Sequence, residues 1–157
     1  MSLRPLLYAL FLVAVSAPAA AGSYASYHPD QHYFVKAVDA FSLGRLDDTA
    51  KFLRQSARYG DKTSQFALAL IARDGVGREA DLAEAYAWFD VAAERGYPAF
   101  LAEREAIWLR LAPAEQARAL ELVARTHAEY GDRVAKPRLE RLLRLGKSRQ
   151  TGTRTGS

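Results

Sequence analysis

The chain contains no cysteine among its 157 residues and only three histidines. The absence of cysteine excludes a disulfide framework, a thiol nucleophile, a thiolate zinc or iron–sulfur site and a lipid-modified cysteine. Hydrophobic residues make up 50% of the sequence and charged residues 25%, which is enough for a packed core in a soluble fold. The length suits one compact domain or one short repeat array.

The first 21 residues have the pattern of a secretory signal peptide. Arg4 supplies a positive charge, residues 6–15 form an unbroken apolar run, and a segment of small residues follows. A membrane anchor is the alternative, but a span needs about 20 apolar residues, and Pro18 ends this run early. We therefore predict cleavage after Ala21, a periplasmic or secreted location, and no transmembrane span in the mature chain.

Positive charge is concentrated at the C-terminal end. Residues 133–157 contain eight lysines and arginines against the single acid Glu140, so this segment carries a net charge of +7 while the whole chain carries +4. The rest of the mature chain is therefore acidic, and the pI of about 9.5 describes the tail rather than the domain. A nucleic-acid partner is not expected from this distribution. The feature to be explained is the combination of an acidic body with a basic C-terminal segment, residues 133–157, which we call the basic arm.

Three copies of one unit are visible in the body of the chain. Gly60, Gly96 and Gly131 recur at intervals of 36 and 35 residues, and each has an alanine three positions earlier. Bulky apolar pairs precede the glycines in each copy, at Phe52-Leu53, Trp88-Phe89 and Leu122-Val123. Several coincidences at one spacing predict a repeated structural unit.

The middle copy predicts two helices joined by a turn. Residues 64–73 are densely apolar and contain no helix breaker, which is typical of a helix buried on several sides. Gly75 and Gly77 supply a turn, and Asp81 with a glutamate three residues later resembles a capping box. The second helix repeats its apolar side chains every three or four residues, at Leu82, Ala85, Tyr86, Phe89, Ala92 and Ala93.

The flanking copies are less regular versions of the same unit. Asp30 and Asp47 can begin the two helices of the first copy, and Pro98 and Pro113 those of the third. We therefore predict an all-α fold: a right-handed α-α superhelix of about three helix pairs over residues 30–131, after a mature N-terminal segment at residues 22–29, with a basic C-terminal extension.

Residues 60–96 resemble a Sel-1-like repeat, a relative of the tetratricopeptide repeat. The matching positions are Gly60, Gly75, Gly77, Asp81, Trp88, Phe89, Ala92, Ala93 and Gly96. The first copy lacks the long glycine turn, and the third lacks the aromatic pair in its second helix. The resemblance covers about residues 30–131.

This resemblance implies an α-solenoid that holds a partner protein, typically as an adaptor or assembly factor, without enzymatic activity and without a cofactor. In this class of solenoid the first helix of each pair generally lines the binding groove. The resemblance therefore places candidate partner contacts on the first helices, at Lys36, Gln65, Arg73, Glu103 and Arg104.

The residues that might carry chemistry have simpler explanations. His28 and His32 are four apart, but a proline lies between them and no third metal ligand is evident. Asp47 reads better as part of a helix cap, and Glu105 as part of a solvated helix face. His127 is expected to be partly buried and hydrogen-bonded. We therefore predict no catalytic, cofactor-binding or metal-binding residue.

The C-terminal extension is predicted to be a short basic helix within residues 132–146, followed by a disordered tail at 147–157. Lys136-Pro137 is expected to break the chain, and Gly146 to end two helical turns. Its basic residues are Arg138, Arg141, Arg144 and Lys147. Three roles remain open: capping the solenoid with its leucines inward, docking on an anionic surface such as a membrane face or an acidic polymer, and binding an acidic protein.

Overall fold

The computed structural model describes residues 28–151, with side chains as far as residue 148. The predicted signal peptide, residues 22–27 and the last six residues of the predicted tail lie outside this range. Within residues 28–151, no helix combines the length and the apolar character needed to cross a bilayer.

The described residues form seven α-helices, so the all-α prediction is confirmed. One 3-10 turn, Ala93–Arg95, follows the fourth helix. In chain order the helices are α1 Pro29–Ser42, α2 Leu46–Ala57, α3 Lys62–Asp74, α4 Leu82–Ala92, α5 Pro98–Trp108, α6 Pro113–Tyr130 and α7 Asp132–Thr151.

Local sequence signals fix the ends of the middle pair. The carboxylate of Asp61 accepts hydrogen bonds from the amides of Thr63 and Ser64 at the start of α3. Asp81 caps α4 by accepting from the amide of Glu84 at 3.0 Å. The other half of the predicted capping box is wrong, because the Glu84 carboxylate pairs with the Arg78 guanidinium instead.

The glycine turns are confirmed in three of the repeat positions. Gly60, Gly75 and Gly96 adopt φ values of 81°, 65° and 75°, in the left-handed region where a side chain is disfavoured. Gly131 differs, with a φ of −64°. Its lack of a side chain matters for space, since a Cβ there would lie 2.7 Å from the carbonyl oxygen of His127.

The first helix of the middle pair forms the centre of the core. Every residue from Ser64 to Ala72 is buried. Phe66 stacks on Phe100 of α5 at 4.3 Å between ring centroids and meets Phe89 of α4 edge-on at 5.2 Å. Trp88, Phe89, Ala92 and Ala93 are also buried, as the repeat pattern requires. Aromatic side chains thus join α3 to α4 and to α5.

The third pair departs from the predicted helical hairpin. Helices α5 and α6 pack mainly against α4 rather than against each other, whereas α1 packs on α2 and α3 on α4. The aromatic contacts of this region run to α4: Tyr86 lies 4.8 Å from Trp108, and Trp88 lies 4.7 Å from Tyr130. Since α6 lacks a central aromatic pair, it has no counterpart of the Phe66–Phe89 contact to close a hairpin with α5.

The C-terminal helix is longer than predicted at both ends. Pro137 lies inside α7, and the helix continues past Gly146 to Thr151. Both the predicted break at Lys136-Pro137 and the predicted end at Gly146 are therefore wrong. Pro137 falls early in the helix, where its missing amide leaves one carbonyl without a donor. Gly146 is buried, which indicates that packing holds it in the helix despite its low helix propensity.

Candidate functional site

The predicted contact residues are not all available to a partner. Gln65 is fully buried, so the prediction that it contacts a partner is wrong. Its side-chain amide donates to the carbonyl oxygens of Ala57 at 3.2 Å and Tyr130 at 2.9 Å. These carbonyls lie at the ends of α2 and α6, and that of Ala57 also accepts from the amide of Gly60 at 3.0 Å. Gln65 therefore ties together three helices.

Three of the predicted contacts lie in ion pairs that link helices. Arg73 binds Asp74 at 2.7 Å and Glu103 of α5 at 2.9 Å, and its hydrogen bonds to Asp74 raise the pKa of the guanidinium. Arg104 lies 3.2 Å from Asp90 of α4 and 2.6 Å from Glu105.

Lys36, the remaining predicted contact, is exposed on α1 with its ammonium 5.6 Å from the Phe52 ring centroid. A partner could reach Lys36 directly, but it could engage Arg73 only by competing with existing pairs. The structure therefore does not bring the five predicted residues together as one surface.

A charged junction, defined as Lys62, Glu94, Arg95 and Asp132, lies where the ends of the repeats meet. Lys62 is only 4% exposed. Its ammonium donates to Glu94 at 2.8 Å, to the carbonyl of Val91 at 2.8 Å and to the side chain of Gln65 at 3.0 Å. The ammonium is thus surrounded by acceptors, as a buried charge must be.

Asp132 is the second centre of the junction. Arg95 binds both of its carboxylate oxygens at 2.8 Å and also donates to the carbonyl of Gly60 at 3.0 Å. Burial alone would raise the pKa of Asp132, but hydrogen bonds from Arg95, Lys136 and Lys62 hold it well below its usual range. The carboxylate is therefore ionised at neutral pH, and it joins α7 to the turns before α3 and α5.

A histidine–aspartate pair continues the charge network on α4 and α6. The Nε2 atom of His127 lies 2.8 Å from Asp90, whose other oxygen faces Arg104. The hydrogen bond to Asp90 raises the pKa of His127, and the same bond lowers the pKa of Asp90. The Nε2 atom of His127 and the facing oxygen of Asp90 are thus bonded to each other across two helices. No group of His, Asp or Glu among residues 28–151 has the arrangement of a metal site.

The end groove is an open depression of about 610 Å³ beside the junction. It lies at the N-terminal ends of α1, α3 and α5 and against the first turns of α7. Its walls include Tyr59, Tyr97, Phe100, Arg95, Lys136 and Leu139. Tyr97 is 45% exposed. Aromatic rings beside long cationic side chains form the kind of surface that anchors a protein partner.

One polar atom in the wall of the end groove lacks a hydrogen-bond partner. The Oδ1 atom of Asp30 is buried and accepts no hydrogen bond within the described residues. The Nδ1 atom of His28 lies 3.8 Å from this oxygen. Burial raises the pKa of Asp30.

The basic arm has a packed side and a solvent side. Ala135 is fully buried, and Leu139, Leu142 and Leu143 are half-buried. Arg138 donates to the carbonyl oxygens of Arg58 and Glu129 and so binds the ends of α2 and α6. Arg141, Arg144 and Lys147 lie on the exposed side. This packing fits the first of the three predicted roles, in which the leucines face the solenoid.

Sequence reasoning missed the junction and the end groove. Both are built from residues that are distant in sequence and meet only at the turns between repeats. One signal was present: Tyr59-Gly60-Asp61 recurs as Tyr130-Gly131-Asp132, and both copies contribute to this region. The recurrence could have directed attention to the turns rather than to the first helices.

The described architecture has a counterpart among solved structures. A protective antigen present in uropathogenic Escherichia coli strains, described as displaying an SLR fold, matches with a TM-score of 0.58 and 25% sequence identity. The match covers 72% of this chain and 25% of that chain, so the present chain spans about a quarter of its length. No family model and no curated protein matches the sequence. The structural match confirms the Sel-1-like repeat resemblance and the helical solenoid fold.

Proposed function

We propose that this chain, which carries the Sel-1-like repeat fold, is a non-enzymatic module that binds a segment of a partner protein in the end groove. Repeat solenoids of this kind present continuous surfaces to other proteins. The observation that supports the end groove is its composition: Tyr97 and Tyr59 stand beside Lys136 and Arg95 around an open depression. We further propose that the module works as an adaptor or assembly factor in the periplasm or outside the cell.

The end groove is a better candidate than the face of α3. The first helix of the middle pair is covered along almost its whole length, so a partner cannot lie along it as the sequence suggested. The groove instead lies where three first helices begin. A partner segment there would find the exposed ring of Tyr97 beside Arg95 and Lys136, whose charges are paired with Asp132.

Site-specific photocrosslinking tests this proposal. A crosslinking amino acid at position 97 of the mature chain should capture a discrete partner in the native envelope or culture fluid. The matched control is the same amino acid at position 109, because Leu109 is 84% exposed at the opposite end of α5. Capture at 97 alone supports the groove. Equal capture at both positions, or capture at 109 alone, contradicts it.

A second candidate function rests on the outward side of α7. Arg133, Arg141 and Arg144 are exposed there, and Glu140 is the acid among them. Basic segments gain about 1 kcal/mol per charge near an anionic membrane surface. Cosedimentation with vesicles containing anionic lipid tests this function, with Arg141→Gln/Arg144→Gln as the variant. Loss of binding in the variant and in high salt would favour it, and equal sedimentation with neutral vesicles would contradict it.

A further inference from the structure

Helix α6 carries an unpartnered face on the side away from α4. Ala119 is fully buried, and His127 reaches Asp90, so one side of α6 packs on the body of the protein. On the opposite side, Ala117, Leu120, Ala124 and Ala128 follow one another at steps of three or four residues, and all are exposed. Leu120 is 55% exposed. This spacing is that of a helix-packing face.

Two opposite charges lie at the middle of this face. Glu121 and Arg125 are exposed, and neither pairs with any residue that the structure describes. The charges nearer the ends of α6 differ, because Arg118 is held by Asp81 at 2.6 Å and Glu129 lies 3.8 Å from Arg58. We call this charged edge of the face the flank. Glu121 and Arg125, at its centre, are therefore the two charges available to an incoming molecule.

We propose that this face binds a second copy of the chain, with the two α6 helices antiparallel about a twofold axis near residue 123. In an antiparallel helix pair, the same flank of each helix faces the other. An axis midway between residues 121 and 125 places each Glu121 opposite Arg125 of the second copy. Two identical ion pairs form from one sequence, as an isologous interface requires.

The same axis also aligns the apolar side chains. Residue 120 of one helix lies level with position 126 of the other, midway between Ala124 and Ala128. Each Leu120 therefore faces a depression formed by two alanines of the second copy. The small side chains of Ala124 and Ala128 allow the two helices to approach closely. The same face therefore carries both the knob, Leu120, and the hole that receives it.

The charge order favours a second copy over an unrelated helix. Along the flank the charges run positive, negative, positive, negative, at Arg118, Glu121, Arg125 and Glu129. Reversal of direction turns this order into its own complement, and its central members Glu121 and Arg125 are the two that make no pair within the described chain. The 18 residues of α6 span about 27 Å at about 1.5 Å per residue. An interface of this size is small, so the dimer should depend on concentration.

Sedimentation velocity of the mature chain over a range of concentrations tests the proposal. The wild-type protein should show a monomer–dimer equilibrium. Glu121→Arg and Arg125→Glu should each raise the dimer dissociation constant by at least about tenfold, because two attractive contacts become two repulsive ones. Unchanged dissociation constants in both variants would overturn the proposal, as would a wild-type monomer at the highest soluble concentration.

Mixing the two single variants provides the sharper test. One carries two positive charges at positions 121 and 125 and the other carries two negative charges, so only a mixed dimer has attractive contacts. A 1:1 mixture should dimerise like the wild type, and so should the double variant Glu121→Arg/Arg125→Glu. A dimer that ignores this charge pattern uses another surface.

Leu120→Asp should also abolish the dimer, whereas Leu109→Asp should leave it intact, since Leu109 is exposed elsewhere. Thermal unfolding of each variant separates dimer loss from misfolding, because exposed substitutions on α6 should leave the helical signal unchanged. The test is independent of the end groove: crosslinking at position 97 can succeed or fail whatever the sedimentation shows.

Discussion

The ammonium of Lys62 lies 3.2 Å from the carboxylate of Asp132. This contact joins the first turn of α3, in the middle repeat, to the first residue of α7, at the end of the array. Lys62 also binds Glu94 in the turn between α4 and α5. A solenoid is usually stabilised by contacts between adjacent repeats. Here one buried cation links three turns, so the C-terminal part should unfold together with the middle pair.

Replacement of Lys62 by methionine tests this link. The substitution keeps most of the side-chain volume but leaves Glu94 and Asp132 without their shared cation. We expect the free energy of unfolding to fall by about 2–3 kcal/mol, as measured by urea denaturation, because Val91, Gln65 and Glu94 lose a charged donor. The matched control is Lys136→Met, since Lys136 lies 2.8 Å from Asp132 but is 57% exposed. A loss in the control as large as in Lys62→Met would show that burial is not the cause.

Gln65 should behave as a structural residue rather than as a binding residue. Gln65→Leu removes the donor to the carbonyls of Ala57 and Tyr130 and one acceptor of Lys62. We expect destabilisation by about 2 kcal/mol in thermal or urea unfolding, because the Tyr130 carbonyl loses its donor while Ala57 and Lys62 each lose one of several partners. The control Gln31→Leu lies on an exposed position of α1 and should change stability little. Equal stability of both variants would contradict the described hydrogen bonds.

The sequence allowed the local features to be predicted because their causes are local. Gly75 ends a helix in the left-handed region, and Asp81 caps the next helix, and both follow from neighbours within a few residues. The role of Gln65 could not be predicted in this way. Its partners lie at the ends of two other helices, and one of them is in the third repeat. A polar residue amid an apolar run signals a buried hydrogen bond or an exposed face, and the sequence does not distinguish these.

The third repeat shows the same limit at the level of packing. Because the second helix of the third copy lacks the aromatic pair, the sequence predicts a less regular version of the same helical hairpin. In the structure its consequence is larger, because α5 and α6 both pack on α4. The spacing of Pro98 and Pro113 predicts where two helices begin. It does not specify which neighbour each helix contacts, since that depends on the side chains of all three.

The glycine turn after α3 offers a graded test of backbone geometry. Gly75 and Gly96 have similar positive φ values, but a Cβ on Gly75 would lie 2.8 Å from the carbonyl oxygen of Arg78, while a Cβ on Gly96 would meet nothing within 4 Å. We expect Gly96→Ala to cost about 1 kcal/mol from the backbone conformation alone. Gly75→Ala should cost clearly more in the same urea titration. Equal losses would show that the turn relaxes to accept the methyl group.

The His127–Asp90 pair should make stability depend on pH. The pKa of His127 is raised above its ordinary value of 6.5, so protonation favours the folded state. The stability gained from the charged histidine is fully present below pH 6.5 and is lost as pH rises through the pKa of His127 in the folded state. The lowered pKa of Asp90 has the opposite sign, and its contribution is lost only in acid.

We therefore expect the wild-type unfolding free energy to fall by up to about 1 kcal/mol between pH 6 and 8, given the partial exposure of the pair. His127→Ala should be less stable than the wild type at pH 6, and the difference in unfolding free energy between the two proteins should be smaller at pH 8. Asp90→Asn should make the unfolding free energy less dependent on pH between 6 and 8, because it removes the hydrogen bond that raises the pKa of His127. A slope that persists in both variants would assign the pH dependence to other groups.

Substitutions on the packed side of α7 should lower stability, whereas substitutions on its exposed side should not. Arg138 donates to carbonyl oxygens at the ends of α2 and α6, where a cation also complements the helix dipole. Arg138→Gln should therefore lower the free energy of unfolding by about 1 kcal/mol. Arg141→Gln is the matched control on the exposed side and should leave stability within about 0.5 kcal/mol of the wild type. Because Arg138 is occupied by backbone carbonyls, Arg141 and its exposed neighbours are the better candidates for binding an anionic surface among the described side chains of α7. A large stability loss in Arg141→Gln, with none in Arg138→Gln, would mean that α7 packs on the solenoid through the opposite face.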